Sequence, residues 1–262
     1  MLFAAESLGF KNVVKVGGAQ AIAALAVGTS SIRKVDKIFG PGNRYVTAMK
    51  SLVAQAPNNV AIDMIAGPTE LLIIADETGN PAWIAADLLS QAEHGADSQV
   101  VLVTTSSKIA EDVKKEINRQ LSSLPRREVT QTALDKSYIL IVSNIDEAFE
   151  FSNRYAPEHL AVAIEDADKY SLQVINAGSV FLGTRSSVVF GDYAAGTNHT
   201  LPTSGFAKSV GGVTVGSFMK PIFFQTISDT GLSSLSKTVT TLARAERLEA
   251  HARAVEKRME RS

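Results

Sequence analysis

Residues 70–76 read ELLIIAD, an apolar run that lacks the polar alternation of a half-exposed strand. Runs of this kind suit strands that are covered on both faces, as in parallel sheets. Further runs are rich in β-branched residues and bounded by Gly, Asn, Asp or Ser. They predict strands at 12–16, 34–39, 60–63, 98–105, 138–143, 159–164 and 177–183.

Amphipathic segments alternate with these strands and predict helices. Asn80 and Pro81 supply an N-cap and a first-turn proline for a helix that stops at Gly95. Within residues 107–121 an apolar side chain recurs every fourth position, which gives one apolar stripe along a helix. Strands that alternate with helices are typical of an α/β fold with a parallel sheet.

Residues 155–160 read YAPEHL and set an acid, Glu158, beside an imidazole, His159, at the entrance to a predicted strand. The preceding helix should end by Ala156, because Pro157 disfavours helical geometry in the residue before it. An arbitrary Glu-His pair is most often part of a solvated loop. The alternative is a general acid/base pair. Ligands of open α/β sheets gather chiefly at the carboxyl ends of strands, so topology supports this alternative only weakly.

Composition excludes several classes of protein. The chain has 262 residues, a net charge of −1 and 45% hydrophobic residues, as expected for a soluble protein of one or two domains. This charge gives no electrostatic case for binding nucleic acid or a membrane surface. No apolar run reaches the roughly 18 residues of a membrane span, and the first residues lack the basic region of a signal peptide, so we expect a cytoplasmic protein. The sequence contains no cysteine, which removes disulfides and thiol catalysis.

A metal would therefore need His, carboxylate or amide ligands. Gln91 and His94 lie three residues apart on one predicted helix, so both can point at one spot, although Gln is an uncommon zinc ligand. Asp192 lies in a glycine-rich stretch, 184–217, whose length without a clear period favours a functional segment. An Asp in such a loop is nevertheless most often a turn residue. His251 is a lone helical histidine, which is usually a surface or cap residue.

Two glycine segments follow predicted strands, at 16–28 (VGGAQAIAALAVG) and 40–43 (GPGN). Amides at a helix start can bind a phosphate, although glycine pairs often mark only a tight turn. Together the segments suggest a nucleotide-sized anion near residues 17–43.

The tail, 230–260, predicts a long helix that is broken once. Its apolar side chains follow a 3-4-3-4 spacing at Ala245, Leu248, Ala252, Val255 and Met259. Such a stripe packs either on the core of its own chain or as a seam against a second chain, and two heptads do not separate these alternatives.

Several long and unusual segments occur in the order of a known enzyme family and include all four histidines: VGGAQAIAALAVGT, KIFGPGN, IDMIAGPTE, DLLSQAEHGADSQ, NRYAPEHL, NAGSVFLG, GDYAAGTNHTLPT and ARAERLEAH. In these segments, spread from residue 16 to residue 251, the chain resembles histidinol dehydrogenase. The resemblance implies an α/β fold of incomplete Rossmann-like parallel-sheet domains with a C-terminal helical arm. It implies a partial cofactor-side domain at 1–70, a domain with zinc and catalytic residues at 71–208, and a dimerisation arm at 209–262.

The family oxidises L-histidinol to L-histidine in two NAD-dependent steps through an enzyme-held aldehyde. Residue by residue, the resemblance implies zinc ligands at Gln91, His94, Asp192 and His251. It implies an acid/base pair at Glu158 and His159. It implies NAD contacts at Gln20 and Asn43. It implies substrate contacts at the zinc ligands and at Thr69, His159 and Glu246. The family shares its active site across a homodimer, so the partner's tail would supply Glu246 and His251, which favours the seam.

The chain departs from the family pattern at three points. It begins partway into the pattern, so we expect elements that complete the sheet and one aromatic NAD contact to lie outside it. Thr69 replaces the Ser that is usual in the family and keeps its hydroxyl group. Ser187 and Val188 stand where members often carry Pro-Glu, which is expected to loosen the loop that holds Asp192.

These departures leave two hypotheses open. One is an active zinc- and NAD-dependent enzyme, and the other is an inactive relative that dimerises and binds zinc or histidinol without turnover. A metal-dependent hydrolase is a remote third hypothesis, which the glycine segments at 17–43 disfavour.

Overall fold

The computed structural model describes residues 2–57, 60–65 and 67–260. The chain divides into two compact units, one that reaches Phe218 and one that begins at Met219. The predicted domain limits at 70 and 208 stay predictions, and the outer limits at residue 1 and at residues 261–262 lie outside the described residues. No helix in the described ranges is long and apolar enough to cross a membrane.

The first unit alternates helices and strands over most of its length. Its helices are α1 (Leu2–Ser7), α2 (Gly18–Val27), α3 (Arg44–Gln55), α4 (Pro81–Ala92), α5 (Ser107–Leu121), α6 (Arg127–Leu134), α7 (Ile145–Tyr155) and α8 (Val188–Tyr193). Its strands are β1 (Lys37–Ile38), β2 (Ala61–Ile62), β3 (Glu70–Ala75), β4 (Gln99–Thr104), β5 (Tyr138–Ile141), β6 (His159–Ala163) and β7 (Ser179–Leu182). Short 3₁₀ segments lie at Ala167–Gln173, Phe206–Lys208 and Val215–Phe218.

The described residues form a five-stranded, fully parallel sheet in the order β5-β4-β3-β6-β7, which confirms the predicted α/β fold. The chain adds β4 and β5 on one side of β3 and then returns to add β6 and β7 on the other. The order of strands therefore reverses between β3 and β6. A reversal of this kind opens a crevice in which open α/β sheets bind ligands, most often at the carboxyl ends of the strands.

The strand predicted at 70–76 is β3, which lies at the centre of this sheet and is buried on both faces, as its sequence predicts. Leu71 and Ile73 face a core cluster that contains Ile84 and Leu88 of α4. The alternate residues, Leu72 and Ile74, face a second cluster that contains Phe149 of α7. Helices therefore cover both faces of the sheet, which explains the absence of polar alternation in this strand.

A smaller two-stranded parallel sheet of β1 and β2 packs with α2 and α3 around its own apolar cluster. Lys50 of α3 forms a buried ion pair with Asp63, and the two side chains are only 2% and 1% exposed. Lys50 Nζ also donates to the Gly40 carbonyl oxygen at 2.9 Å, and Asp63 Oδ2 accepts from the Gly40 N–H at 2.8 Å. The ion pair therefore holds both polar groups of Gly40, three residues before Asn43.

The predicted strand at 12–16 is wrong. These residues are described without regular structure, and Val13, Val14 and Val16 are exposed. A strand forms when a neighbouring strand accepts its backbone hydrogen bonds, and the described residues supply no such neighbour here. The other predicted strands are confirmed, each within three residues of its predicted ends.

The second unit is a pair of helices, α9 (Asp229–Ala245) and α10 (Glu249–Met259), so the predicted single break is confirmed. Ala243 and Ala252 of these helices are buried. Arg244 forms ion pairs with Glu249 and Glu256, which join the two helices. Ala245 and Leu248 lie at the break, so the 3-4-3-4 stripe is not carried by one continuous helix.

Candidate active site

The start of β3 and the start of β6 lie side by side at the reversal of the sheet. Leu71 pairs with His159 in the parallel register, so the residues just before each strand, Thr69 and Glu158, are neighbours although 89 positions separate them. This edge carries the amino ends of the strands, opposite to the edge that open α/β sheets use most often.

Glu158 is buried and is held at one of its two carboxylate oxygens. Oε2 accepts the hydroxyl of Thr69 at 2.5 Å and the N–H of Glu70 at 3.0 Å. The other oxygen, Oε1, takes no part in these bonds. The solvated-loop interpretation of YAPEHL is therefore wrong for this residue, whose exposed fraction is 7%.

His159 is buried beside Glu158 and has a defined tautomer. Its Nδ1 lies 3.1 Å from the Glu70 carbonyl oxygen and 3.4 Å from Glu158 Oε2. Because a carbonyl oxygen only accepts, Nδ1 carries the proton and Nε2 carries the lone pair of the neutral ring. Burial alone lowers the pKa of His159. The Glu158 carboxylate, the Glu70 carbonyl and the charge of Asp192 outweigh burial and raise this pKa above its ordinary value.

The local chain is built to turn at this point. Ala156 ends α7 in the left-handed conformation at φ 57°, and its N–H bonds back to the Ser152 carbonyl. Gly178 donates to the Pro157 carbonyl at 2.9 Å. A Cβ on Gly178 would lie 2.5 Å from the Glu158 carbonyl oxygen, so only glycine allows β7 to approach this closely.

Gln91 joins the same group of side chains. Its amide nitrogen donates to Thr69 Oγ1, and Thr69 in turn donates to Glu158. One hydrogen-bond chain therefore runs from α4 to the buried carboxylate. The donating nitrogen leaves the amide oxygen of Gln91 as the atom that can bind a cation.

His94 lies one turn after Gln91 and is exposed. Its Nδ1 donates to the Ser90 carbonyl at 3.0 Å, so Nε2 carries the lone pair. A backbone carbonyl at one ring nitrogen is the usual support of a metal-binding histidine. His94 and Thr69 both line a cavity of about 660 Å³, together with Asn43.

Of the two predicted NAD contacts, Asn43 lies in this cavity and Gln20 does not line it. Asn43 caps α3, because its Oδ1 accepts from the N–H groups of Tyr45 and Val46 at 3.0 and 3.2 Å. Its amide nitrogen is therefore the group that can donate to a ligand. Gln20 is exposed on the first turn of α2.

The remaining predicted site residues are spread over both units. Asp192 is half-buried on α8, and its charge acts on His159. Glu246 and His251 are exposed in the second unit. No cluster of three or more His, Asp or Glu side chains suited to a metal occurs within residues 2–57, 60–65 and 67–260.

Two contacts near the site were not predicted from the sequence. Glu70 holds both Glu158 and His159 through its backbone, which no residue pattern signals. Ser187 donates to Asp87 Oδ1 at 2.5 Å, so the residue expected to loosen the loop ties the start of α8 to α4. Burial raises the pKa of Asp87, although the bond from Ser187 opposes this shift.

Comparison with known proteins identifies one family. A family model described as histidinol dehydrogenase matches residues 1–259. Histidinol dehydrogenase of Bacteroides fragilis is 52% identical over 260 residues, which cover 99% of this chain and 60% of that protein. The chloroplastic histidinol dehydrogenase of Arabidopsis thaliana is 49% identical and is covered over 56% of its length. The crystal structure of histidinol dehydrogenase from Elizabethkingia anophelis superposes with a TM-score of 0.95 at 49% identity, over 99% of this chain and 59% of that one. The chain thus spans about 60% of the length of the relatives it matches.

Proposed function

The chain belongs to the histidinol dehydrogenase family, and on that basis we propose that it carries the catalytic centre for oxidising L-histidinol to L-histidine through histidinaldehyde, with zinc and NAD. The observation that carries this proposal is the hydrogen-bond chain from Gln91 through Thr69 to Glu158, with His159 beside it. It brings a candidate metal ligand, a hydroxyl, a carboxylate and a basic imidazole to one strand edge.

His159 is the proton acceptor of this proposal. In each oxidation the substrate loses a hydride from carbon and a proton from oxygen. Nε2 of His159 takes the proton, because Nδ1 is already committed to the Glu70 carbonyl. The raised pKa strengthens this nitrogen as a base.

Glu158 serves the second oxidation, in which water must add to the aldehyde. Its Oε2 is held by Thr69 and Glu70, and this fixes the direction in which Oε1 points. Oε1 orients the water and accepts its proton as the new carbon–oxygen bond forms. The former carbonyl oxygen takes up a proton to complete the hydrate, which then loses a proton and a hydride to give the acid.

The chemistry of these side chains suits both proposed cofactors. The amide oxygen of Gln91, Nε2 of His94 and the carboxylate of Asp192 are oxygen and nitrogen donors that zinc accepts, with His251 proposed as a ligand from the partner's tail. Asn43 and the loop held by Lys50 and Asp63 are the proposed NAD side. When bound, NAD accepts the hydride and zinc orients the amine and imidazole of the substrate.

Zinc binding is expected to depend on His94. Removing a residue that only supports a metal ligand typically weakens zinc binding by roughly 10- to 100-fold. The His94→Ala variant removes a proposed ligand itself, so its zinc affinity should fall by more than this. Competition with a chromophoric chelator measures this affinity, and elemental analysis measures the stoichiometry. His199→Ala is the control, since His199 is an exposed histidine outside the proposed ligand set. Unchanged zinc affinity and unchanged melting temperature under added zinc in His94→Ala would contradict the ligand set.

The proposed homodimer is expected to use the tail. Helix α9 exposes Leu235, Val239 and Leu242, a stripe with the spacing of one helix face. Light scattering at tens of micromolar should give twice the mass of one chain, and Leu235→Glu with Val239→Glu should give single chains. Lys237→Glu, on the opposite face of α9, should leave the dimer intact. A monomeric native chain would exclude both a dimer contact through the tail and the shared site.

The proposed activity is tested by the absorbance of NADH in the presence of histidinol, zinc and NAD. Formation of two NADH per histidinol consumed supports the proposal. Zinc or histidinol binding without NADH formation would instead support an inactive relative. The absence of both binding and turnover would refute the proposed function.

A further inference from the structure

We propose that Glu70 is a positioning residue for Glu158 and His159, because its side chain clamps the turn at residues 203–205 onto the segment that precedes β3. The inference deepens the proposed function and rests on it only for the catalytic meaning of the two residues. The clamp itself is a property of the chain without ligands.

The backbone of Glu70 holds both catalytic candidates. Its N–H donates to Glu158 Oε2 at 3.0 Å, and its carbonyl oxygen accepts from His159 Nδ1 at 3.1 Å. A shift of the backbone of this one residue by about 1 Å would break both bonds, since hydrogen bonds weaken steeply with distance and angle. The directions of His159 Nε2 and of Glu158 Oε1 therefore depend on where Glu70 lies.

The side chain of Glu70 fastens this backbone to a distant turn. Oε1 accepts from the N–H of Ser204 at 3.0 Å. One residue earlier, the buried Thr203 hydroxyl accepts from the Gly67 N–H. The two segments thus exchange hydrogen bonds at two points, one on each side of Thr69.

The fit between the segments leaves little room for another arrangement. A Cβ on Gly67 would lie 2.9 Å from Ser204 Oγ and 3.1 Å from Thr203 Oγ1. Ser204 has a φ of 55°, a left-handed conformation that costs energy for a residue with a Cβ. Such a conformation persists where the surroundings determine it, and the bond to Glu70 supplies that constraint.

The second oxygen of Glu70 indicates which chemical group the clamp needs. Within the described residues no donor reaches Oε2, although this atom is buried. Burial raises the pKa of Glu70, and the nearby Glu158 raises it further. The clamp uses one acceptor oxygen, which a glutamine also provides and an alanine does not.

The test uses the full chain without zinc, NAD or histidinol. Nuclear magnetic resonance measures the pKa of His159 and the rate of hydrogen exchange at the Ser204 amide. The His159 signal is assigned as the one that disappears in the His159→Asn variant. In Glu70→Ala we expect the His159 pKa to fall by roughly half a pH unit or more, because its hydrogen-bond partners move away. Exchange at Ser204 should rise about tenfold or more.

Matched variants separate positioning from folding. Glu70→Gln should keep wild-type values for both readouts, and so should Glu77→Ala, an exposed residue just past the other end of β3. Glu70→Asp retains the carboxylate but is one carbon too short, so it should behave like Glu70→Ala and serves if that variant does not fold.

The proposal is overturned if Glu70→Ala or Glu70→Asp lowers the melting temperature while the His159 pKa stays unchanged. It is also overturned if Glu70→Gln behaves like Glu70→Ala. Failure of the proposed function would show separately, as absence of zinc uptake and NADH formation in the native protein.

Discussion

The His159→Asn variant is expected to lose about 100- to 10,000-fold of the rate in both steps of the proposed oxidation. Each step releases a proton from the substrate oxygen, and asparagine offers no basic nitrogen in place of Nε2. The Glu158→Gln variant should chiefly slow the second step, because an amide orients water but does not accept its proton. Rapid-mixing measurements that start from histidinol and from histidinaldehyde resolve the two steps.

Zinc binding and a remote substitution serve as controls for the His159→Asn and Glu158→Gln variants. Zinc affinity should survive both changes, since neither residue is a proposed ligand. Glu165→Gln, at an exposed residue past the far end of β6, should leave both steps at the native rate. The measurement is made in a preparation that turns over histidinol. Native rates for both oxidations in His159→Asn would exclude His159 as the base.

The pKa of His159 itself is expected to report its pairing with Glu158. In the metal-free chain this pKa should lie above the ordinary value of about 6.5 and should fall in Glu158→Gln, which removes the negative charge. Because the folded pKa is raised, protonation of His159 stabilises the fold below the unfolded pKa, and this contribution is lost as pH rises through the folded pKa. An equal His159 pKa in both proteins would contradict the pairing.

The Lys50→Met variant is expected to lose about 3–5 kcal/mol of unfolding free energy. Methionine fills much the same volume but leaves the Asp63 carboxylate buried without its cation, and the desolvation of that charge is no longer offset. The variant also removes the donor to the Gly40 carbonyl, so the loop before Asn43 should loosen. Denaturant unfolding measures the free energy, and hydrogen exchange at the Tyr45 amide reports the loop.

Two further variants test this explanation. Lys50→Met with Asp63→Asn should recover part of the loss, because the buried charge is gone. Lys108→Met removes an exposed ion pair to Asp112 and should change stability little, since water screens that pair. If Lys50→Met unfolds at the native denaturant concentration, the ion pair does not stabilise the small sheet and its loop.

Local chemistry allowed much of the fold to be predicted. The run at 70–76 shows no polar alternation because helices cover both faces of the strand. Its residues alone therefore predict that both faces are buried. Asn80 and Pro81 predict the start of α4, and Pro157 predicts the end of α7. Both follow from the sequence because capping and proline geometry act over a few neighbouring positions. The motifs likewise identified the residue types of the site, since they are continuous in the sequence.

The tertiary structure decided what depends on partners distant in the chain. Residues 12–16 have strand composition, but no strand among the described residues lies beside them, so composition predicted the wrong state. The pairing of Leu71 with His159 brings Thr69 to Glu158 across 89 positions, and a register shifted by one residue would turn these side chains to the other face. The role of Glu70 exists only in that register, because its backbone and not its residue type holds the pair. Sequence thus determined which segments are buried and where they end, whereas strand order and register determined which polar groups meet.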